Sequence, residues 1–297
     1  MKKYPKVLVS ILHYNNINNT IETIELFEKQ QYPNFDIQII DNGSTDGCVA
    51  KLKKRVPNLK VIVLSNNVGY AGGNNVAFDI GVEKGYDYVL ISNNDIALKK
   101  DFVSKSVKTS LDNPAAGIIG AIEKDYYTKK TRIVGGYGFK PYLGKGTWAR
   151  SIEGKSSDVL EVDYVQGSLI LFTRKALQSG IRFDEKLFLY CEEIDIQFQL
   201  RKNKLKALVP LNCTVYHKGM KQFNLLQGYY IQRNRIYLTK KHGNKWQYII
   251  AILYTILFEL PIKFVIRSIQ GYPNYALFCC LGFIDGIKGK MYNKIIK

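Results

Sequence analysis

Four short apolar runs, at residues 7–12, 37–40, 61–64 and 88–91, alternate with helix-length segments, and each ends in a cluster of Asn, Asp and Gly. Short apolar runs bounded by turn formers predict buried strands. Strands that alternate with helices predict βαβ units, hence an α/β fold with a mostly parallel Rossmann-like sheet flanked by helices. Within the first connection, Thr20 reads as an N-cap, with Ile21, Ile24 and Phe27 at helical spacing. Asn15, Asp41, Asn67 and Asp95 all lie just past the carboxyl ends of their strands. Open α/β sheets bind ligands along that edge. Plain turn chemistry would produce the same residue types, so the clusters acquire meaning only together.

The chain of 297 residues carries no Gly/Ser-rich linker and no repeat. It reads as one catalytic-size domain, residues 1–240, with a C-terminal extension, residues 241–297. Five cysteines without a C-x-x-C pair argue against a disulfide framework or a structural zinc site, and a reducing cytoplasm is the expected home. The basic start, Met1-Lys2-Lys3-Tyr4-Pro5-Lys6, leads into too short an apolar stretch for a signal peptide. The net charge of +18 is concentrated late: residues 201–297 hold 17 Lys and Arg against only Glu259 and Asp285. An anionic partner is implied, either nucleic acid or a membrane surface.

The edge clusters can be given chemistry. A carboxylate at Asp41 can accept the ring N–H of a pyrimidine, and Gly69, Gly72 and Gly73 allow backbone to approach a ligand before a helix begins. Neither a G-x-G-x-x-G fingerprint nor a P-loop motif occurs, which disfavours a dinucleotide or P-loop site. At the end of the fourth strand Asn93-Asn94-Asp95 offers one carboxylate with amide help. That suffices for a hard cation when substrate phosphates supply further oxygens.

The series Asp41-Asn42-Gly43-Ser44-Thr45-Asp46-Gly47, then Asn67-Val68-Gly69-Tyr70-Ala71-Gly72-Gly73-Asn74-Asn75, then Asn93-Asn94-Asp95 resembles the family 2 glycosyltransferases of the GT-A fold. Within them it is most similar to the bacterial rhamnosyltransferase-like branch. The similarity runs from about Lys6 to about Gly219. It implies that Asp41 holds the base of a nucleotide sugar and that Asp95 ends a D-x-D-like motif binding Mg²⁺ or Mn²⁺ on the diphosphate. Tyr14, Asn15, Asn67, Gly73, Asn93 and Asn94 would line the donor site, and Gly167 would lie beside the donor sugar. Asn93 stands where the motif usually has its first acid. Glu193, in Cys191-Glu192-Glu193-Ile194-Asp195, matches the second acid of the family's E-D-x-D segment and would be the catalytic base; the same acids would also favour a helix dipole. Gln199 replaces a common Arg, which leaves the partner of Asp195 open, with Arg201 one alternative. His217 matches a His that meets the metal or diphosphate, although a lone His is often structural. Arg233, with Asn234 and Arg235, either clamps phosphate or forms a solvated face.

Two further stretches concern the acceptor. Residues 125–159, rich in Gly and holding Trp148, read as an irregular loop that either binds substrate or is a disordered insert. Residues 162–172 read as one strand interrupted at Gly167. In the extension, residues 248–260 form an apolar run that Pro261 closes, too short and too charged to span a bilayer. Thr255, Glu259, Lys263 and Arg267 recur every four residues as a polar stripe. Together with the basic tail at Lys288, Lys290, Lys294 and Lys297, this suits an in-plane membrane anchor; a packed helical subdomain or dimer face is the alternative.

The combined expectation is an inverting transferase that moves a sugar, rhamnose first, from a dTDP- or UDP-linked donor to a saccharide or lipid-linked saccharide of the bacterial cell surface. It would act at the inner face of the cell membrane, with an anionic membrane rather than nucleic acid as its surface partner. A metal-dependent sugar nucleotidyltransferase and a non-enzymatic basic binding module are the rivals. Neither accounts for Asp41, Asp95 and Glu193.

Overall fold

Apolar side chains alternate along each strand, and that alternation decides the layering. The computed structural model describes residues 4–152, 157–219 and 224–292. Met1, Lys2, Lys3, Lys294, Lys297 and part of the 125–159 stretch lie outside the described residues. The first half runs β1 (Val7–His13), α1 (Ile17–Glu28), β2 (Phe35–Asp41), α2 (Cys48–Arg55), β3 (Lys60–Val63), α3 (Gly69–Glu83) and β4 (Tyr88–Asn93). The middle holds β5 (Ile96–Leu98), α4 (Phe102–Asp112), β6 (Ala116–Ile119), β7 (Ile122–Asp125), β8 (Thr131–Ile133), β9 (Gly135–Lys140), β10 (Lys145–Ala149), β11 (Val159–Val162), β12 (Leu169–Thr173) and α5 (Arg174–Gln178). There follow α6 (Glu192–Lys202), β13 (Lys206–Pro210), β14 (Thr214–His217), α7 (Leu225–His242), α8 (Lys245–Tyr254), α9 (Leu260–Ile269) and α10 (Pro273–Lys288).

Eight strands form the main sheet in the order β11-β13-β6-β12-β4-β1-β2-β3. Val7, Val9 and Ile11 of β1 and Leu90 of β4 face one core, beneath Ile24, Phe27, Leu52 and Val103 of α1, α2 and α4. Leu8, Val89, Ile91 and Phe172 face the other, beneath Phe78, Leu177, Ile196 and Leu200 of α3, α5 and α6. The result is a three-layer α/β sandwich, mostly parallel, as the patterning predicts. Strands β5, β14, β7 and β8 form a second sheet.

The structure departs from the sequence reading in four places. Helix α1 begins at Ile17 with Asn16 as N-cap, not at Thr20, whose hydroxyl is buried against His13 and Asn94. Residues 162–172 are not one strand: β11 pairs with β13 at the sheet edge, whereas β12 lies antiparallel between β4 and β6. Gly167 therefore sits in the crossing between two strands. The stretch from residue 125 is ordered as strands rather than an irregular loop, with β9 and β10 forming an antiparallel hairpin.

The fourth departure is in the extension. Helix continues from Lys245 to Ile269, 25 residues, long and apolar enough by length and composition to cross a membrane. Pro261 does not stop it, because Thr255–Glu259 form a π-type turn immediately before. Widening the ladder there relieves the clash that proline makes with the carbonyl four residues back. The polar stripe faces the protein: Thr255 is buried, and Glu259 pairs with Arg235 of α7. The apolar side chains face outward, with Trp246 72%, Leu257 61% and Ile269 82% exposed. Helix α10 packs against α7 with glycines at the contact, Gly282 on Tyr229 and Gly286 on Arg233.

Candidate active site

The register of the parallel strands aligns their carboxyl ends. His13 lies beside Asp41, and Leu12 beside Asn93. One edge of the sheet thus gathers Tyr14, Asn15, Asp41, Asn67, Asn93, Asn94 and Asp95. Tyr14 is 44% exposed. Asn15, in the left-handed region, accepts the Thr45 N–H at its Oδ1 and donates its own N–H to Ser44 Oγ, tying the first two polar turns together. Asp41 is fully buried and accepts from Ser44 Oγ at 2.5 Å. Asn67 accepts from Asn42 Nδ2 and the Gly69 N–H. Asn94 donates to Thr20 and accepts at its carbonyl from Thr23, which fixes the turn before Asp95 on α1.

The Gly run is not an open cradle. A Cβ on Gly73 would strike Leu12 and one on Gly69 would strike Phe188, so these glycines let α3 press against β1 and against the segment before α6. Gly73 accordingly packs the helix on the sheet.

Beyond β4, Asp95 Oδ1 lies 3.1 Å from His217 Nε2, and His217 Nδ1 lies 3.1 Å from Glu123 Oε2. Strand β14 stands between β5 and β7, which is why three distant stretches meet. Burial works against the charged imidazolium, but its hydrogen bonds to Asp95 and Glu123 outweigh burial and push His217 up to about 9. Glu123 is absent from the sequence reading; its only signal is a lone acid at the end of an apolar run, residues 118–122. A carboxylate behind a His is the arrangement that orients metal-ligating imidazoles. Asp95 and His217 form a two-donor set, and no cluster of three or more His, Cys, Asp or Glu ligands occurs among the described residues. The set suits a hard cation whose remaining ligands come from a diphosphate and water.

Glu193 opens α6. Burial pushes its carboxyl up to about 7, against the hydrogen bonds from backbone N–H groups, including that of Gly167, which act to lower it. The neighbouring Glu192, wholly buried, is driven well above the usual carboxylate range by burial and by the charge of Glu193. Burial thus raises both adjacent carboxyls, with Glu193 pushed up to about 7. A Cβ on Gly167 would collide with Glu193 Oε1 and approach the Tyr70 hydroxyl, which itself donates to the Gly167 carbonyl. Gly167→Ala is therefore expected to lower kcat by about 10- to 100-fold, the order expected when a reacting group is displaced by a fraction of an ångström. Steady-state kinetics beside a thermal melt checks this, and wild-type kcat in the folded variant would show that Glu193 needs no such room.

Arg233 is not free to grip a phosphate. Its guanidinium is fully buried and donates to the carbonyls of Tyr292 at 2.6 Å and Leu187 at 2.8 Å. Asn234 beside it donates to the carbonyls of Leu187, Leu189 and Tyr190. Both hold the segment that presents Glu193, in which Phe188, Tyr190 and Cys191 all adopt positive φ. Asp195 is held by Gln199, Lys241 and His242, while Arg201 pairs with Asp163 instead. Burial raises the Asp195 carboxyl, but the hydrogen bonds from His242 and Lys241 and the charge of Lys241 outweigh it and keep its pKa below the usual value. The missing Arg is thus replaced by α7. Glu193 shares a cleft of about 390 Å³ with Trp148, Tyr190, Lys145, Gln227 and Arg235.

Comparisons with known proteins agree with this geometry. Residues 9–178 match the family described as glycosyl transferase family 2. Over 236 residues the chain is 25% identical to an N-acetylglucosaminyl-diphospho-decaprenol L-rhamnosyltransferase of Mycobacterium tuberculosis, covering 71% of this chain and 76% of the relative. A mannosyltransferase from Pyrobaculum calidifontis, solved with GDP-Man and Mn²⁺, superposes with a TM-score of 0.60 at 14% identity, over 96% of this chain and 88% of that one. GalNAc-T7, solved with UDP, GalNAc and Mn²⁺, gives a TM-score of 0.68 at 11% identity, over 96% of this chain and 58% of the other. These structures establish the GT-A fold.

Proposed function

The chain belongs to glycosyl transferase family 2, and from that premise we propose that it transfers a sugar, rhamnose first, from a dTDP- or UDP-linked donor to a lipid-linked saccharide with inversion at the anomeric carbon. The observation that carries this reading is the pairing of a carboxylate poised near neutrality, Glu193, with the Asp95–His217 pair at the sheet edge. Glu193 takes the proton of the acceptor hydroxyl as its oxygen bonds to the anomeric carbon. The bond from that carbon to the diphosphate breaks on the opposite face, so one displacement inverts the centre. Asp41, Asn15, Tyr14 and Asn67 serve the nucleoside, and Asn93 and Asn94 the phosphates and sugar. Asp95 and His217 would hold Mg²⁺ or Mn²⁺, which when bound neutralises charge developing on the departing diphosphate.

The acceptor assignment draws on the lipid-linked substrate in the name of the mycobacterial relative and on the outward apolar face of the Lys245–Ile269 helix. That helix lies against an anionic bilayer at its inner face, because its polar side is committed to α7 through Glu259 and Arg235.

A thermal-shift series tests the reading with dTDP-rhamnose, UDP-glucose, UDP-galactose and GDP-mannose, each with and without Mn²⁺. One donor at about 100 times its Kd stabilises the protein by about 2.7 kcal/mol, or about 5 °C. The metal-dependent part is expected to vanish in Asp95→Ala. No shift with any nucleotide sugar would overturn the assignment.

A further inference from the structure

Behind Lys145 and Arg235, which line the cleft that holds Glu193, one carboxylate faces three cations. Glu259 accepts from Arg235 Nη1 at 2.6 Å and Nη2 at 2.9 Å, with Lys263 Nζ at 3.2 Å and Lys145 Nζ at 3.3 Å. The cluster is therefore in surplus by two positive charges in a partly buried place, and burial of Glu259 is outweighed so far that its carboxyl is held at about 2. Arg235 is fully committed: its Nε and Nη2 hold the carbonyls of Gly144 and Leu143. Lys145 is not, since Glu259 and the Tyr254 hydroxyl at 3.4 Å are distant partners and 38% of its side chain is exposed. Beneath them Gln232, wholly buried, accepts at its Oε1 from Lys263 and Arg235, while its Nε2 has no partner among the described residues. Surplus charge and a spare buried donor are what an anion with several oxygens completes.

Position narrows the anion. Lys145 and Arg235 line the Glu193 cleft. Glu259 and Lys263 belong to the helix whose other side is exposed and apolar. The cluster thus stands between the reacting group and the lipid-facing surface, and a ligand reaching from one to the other has a sugar at one end, a chain of hydrocarbon at the other and charge between. We propose that Lys145 and Lys263, supported by Arg235 and Gln232, form the subsite for the diphosphate of a polyprenyl-diphosphate-linked saccharide acceptor. The inference rests on the transferase reading for the identity of the sugar end, but the anion site itself does not require it.

Binding to vesicles separates the two. Full-length wild type and the Lys145→Gln/Lys263→Gln double variant are sedimented with phosphatidylcholine vesicles carrying a small fraction of polyprenyl diphosphate. Parallel vesicles carry phosphatidylglycerol to the same surface charge. Wild type is expected to bind the diphosphate vesicles at least about tenfold more tightly than the phosphatidylglycerol vesicles, the worth of one or two charge-assisted hydrogen bonds. The double variant, with an unchanged melt, is expected to lose that preference and keep its phosphatidylglycerol binding. Equal binding to both by wild type, or a preference that survives in the variant, overturns the subsite. Should the double variant not fold, Lys145→Gln alone is compared by the same preference. A missing donor shift beside an intact diphosphate preference would sink the transferase reading alone.

Discussion

Glu193→Gln is expected to lower kcat by about 10²- to 10⁴-fold, the usual contribution of a positioned general base, while donor-induced thermal shifts stay as in wild type. Gln keeps the shape of the side chain and can still meet the Gly167 N–H, but it cannot accept the acceptor proton. Because burial pushes the wild-type carboxyl up to about 7, kcat/KM of the wild type is expected to climb with pH and level off above about 7, and the residual rate of the variant to lack that step. The stability effect has the opposite direction. A carboxyl whose folded pKa is raised binds its proton more tightly in the native state. Its contribution is present below the unfolded value near 4.5 and is lost as pH rises through about 7. Glu193→Gln is therefore expected to be at least as stable as wild type at pH 8. A pH-rate profile of both proteins decides; a variant within a few-fold of wild-type kcat would remove Glu193 from the reaction.

Asn234→Ala is expected to cost about 3 kcal/mol in urea unfolding and about 100-fold in kcat. The side chain is wholly buried and its Nδ2 lies 2.9, 2.9 and 2.7 Å from three carbonyls of a single segment. That segment holds Phe188, Tyr190 and Cys191 at φ of 62°, 71° and 71°, conformations that side chains other than Gly adopt only at a cost of about 1–3 kcal/mol each. Without the amide the Leu189 and Tyr190 carbonyls lose this side-chain donor in a partly buried place, while Leu187 keeps Arg233, and the turn presenting Glu193 relaxes. Asn234→Asp separates positioning from bulk. It has the same volume but offers no donors, so it is expected to fail as badly as Ala. Donor thermal shifts are expected to persist in both, because the nucleotide edge lies on other strands. Rescue by Asp would show that packing, not the amide hydrogens, holds the turn.

The parallel half of the fold is legible because each strand carries a short apolar run that ends in turn formers, a pattern with few alternatives. Asp95 and His217, which the structure brings within 3.1 Å of each other, are singled out by motif order, as is Glu193. Arg233 is misread because two arginines around an Asn beside a motif look the same on paper whether they face solvent or carbonyls; only packing of α10 over α7 buries them. Glu123 escapes because its role depends on β7 and β14 pairing across about 90 residues of chain, which no local pattern records. Gly167 reads as an interruption of one strand, yet Gln166-Gly167-Ser168 is the crossing between β11 and β12, where the glycine leaves room for the Glu193 carboxylate. At Pro261 the reading fails because a π turn lets the helix run through a residue that ordinarily ends one.

Strand β12 lies against the grain between β4 and β6. The chain that departs after β6 and returns at β12 therefore has its two ends fixed a strand's width apart, about 4.8 Å, whatever its length. Lengthening a tethered excursion costs little, because closure entropy grows only with the logarithm of length. Lys145, Gly146 and Trp148, which wall the cleft, all lie on that excursion, whereas Asp41, Asp95 and Glu193 do not. Insertions and deletions in the β9–β10 hairpin reshape that wall of the cleft while the ends stay anchored. The hairpin that walls the cleft can therefore vary without displacing Asp41, Asp95 or Glu193, whereas Glu123 and Gly167, on the same excursion, are tied to His217 and Glu193.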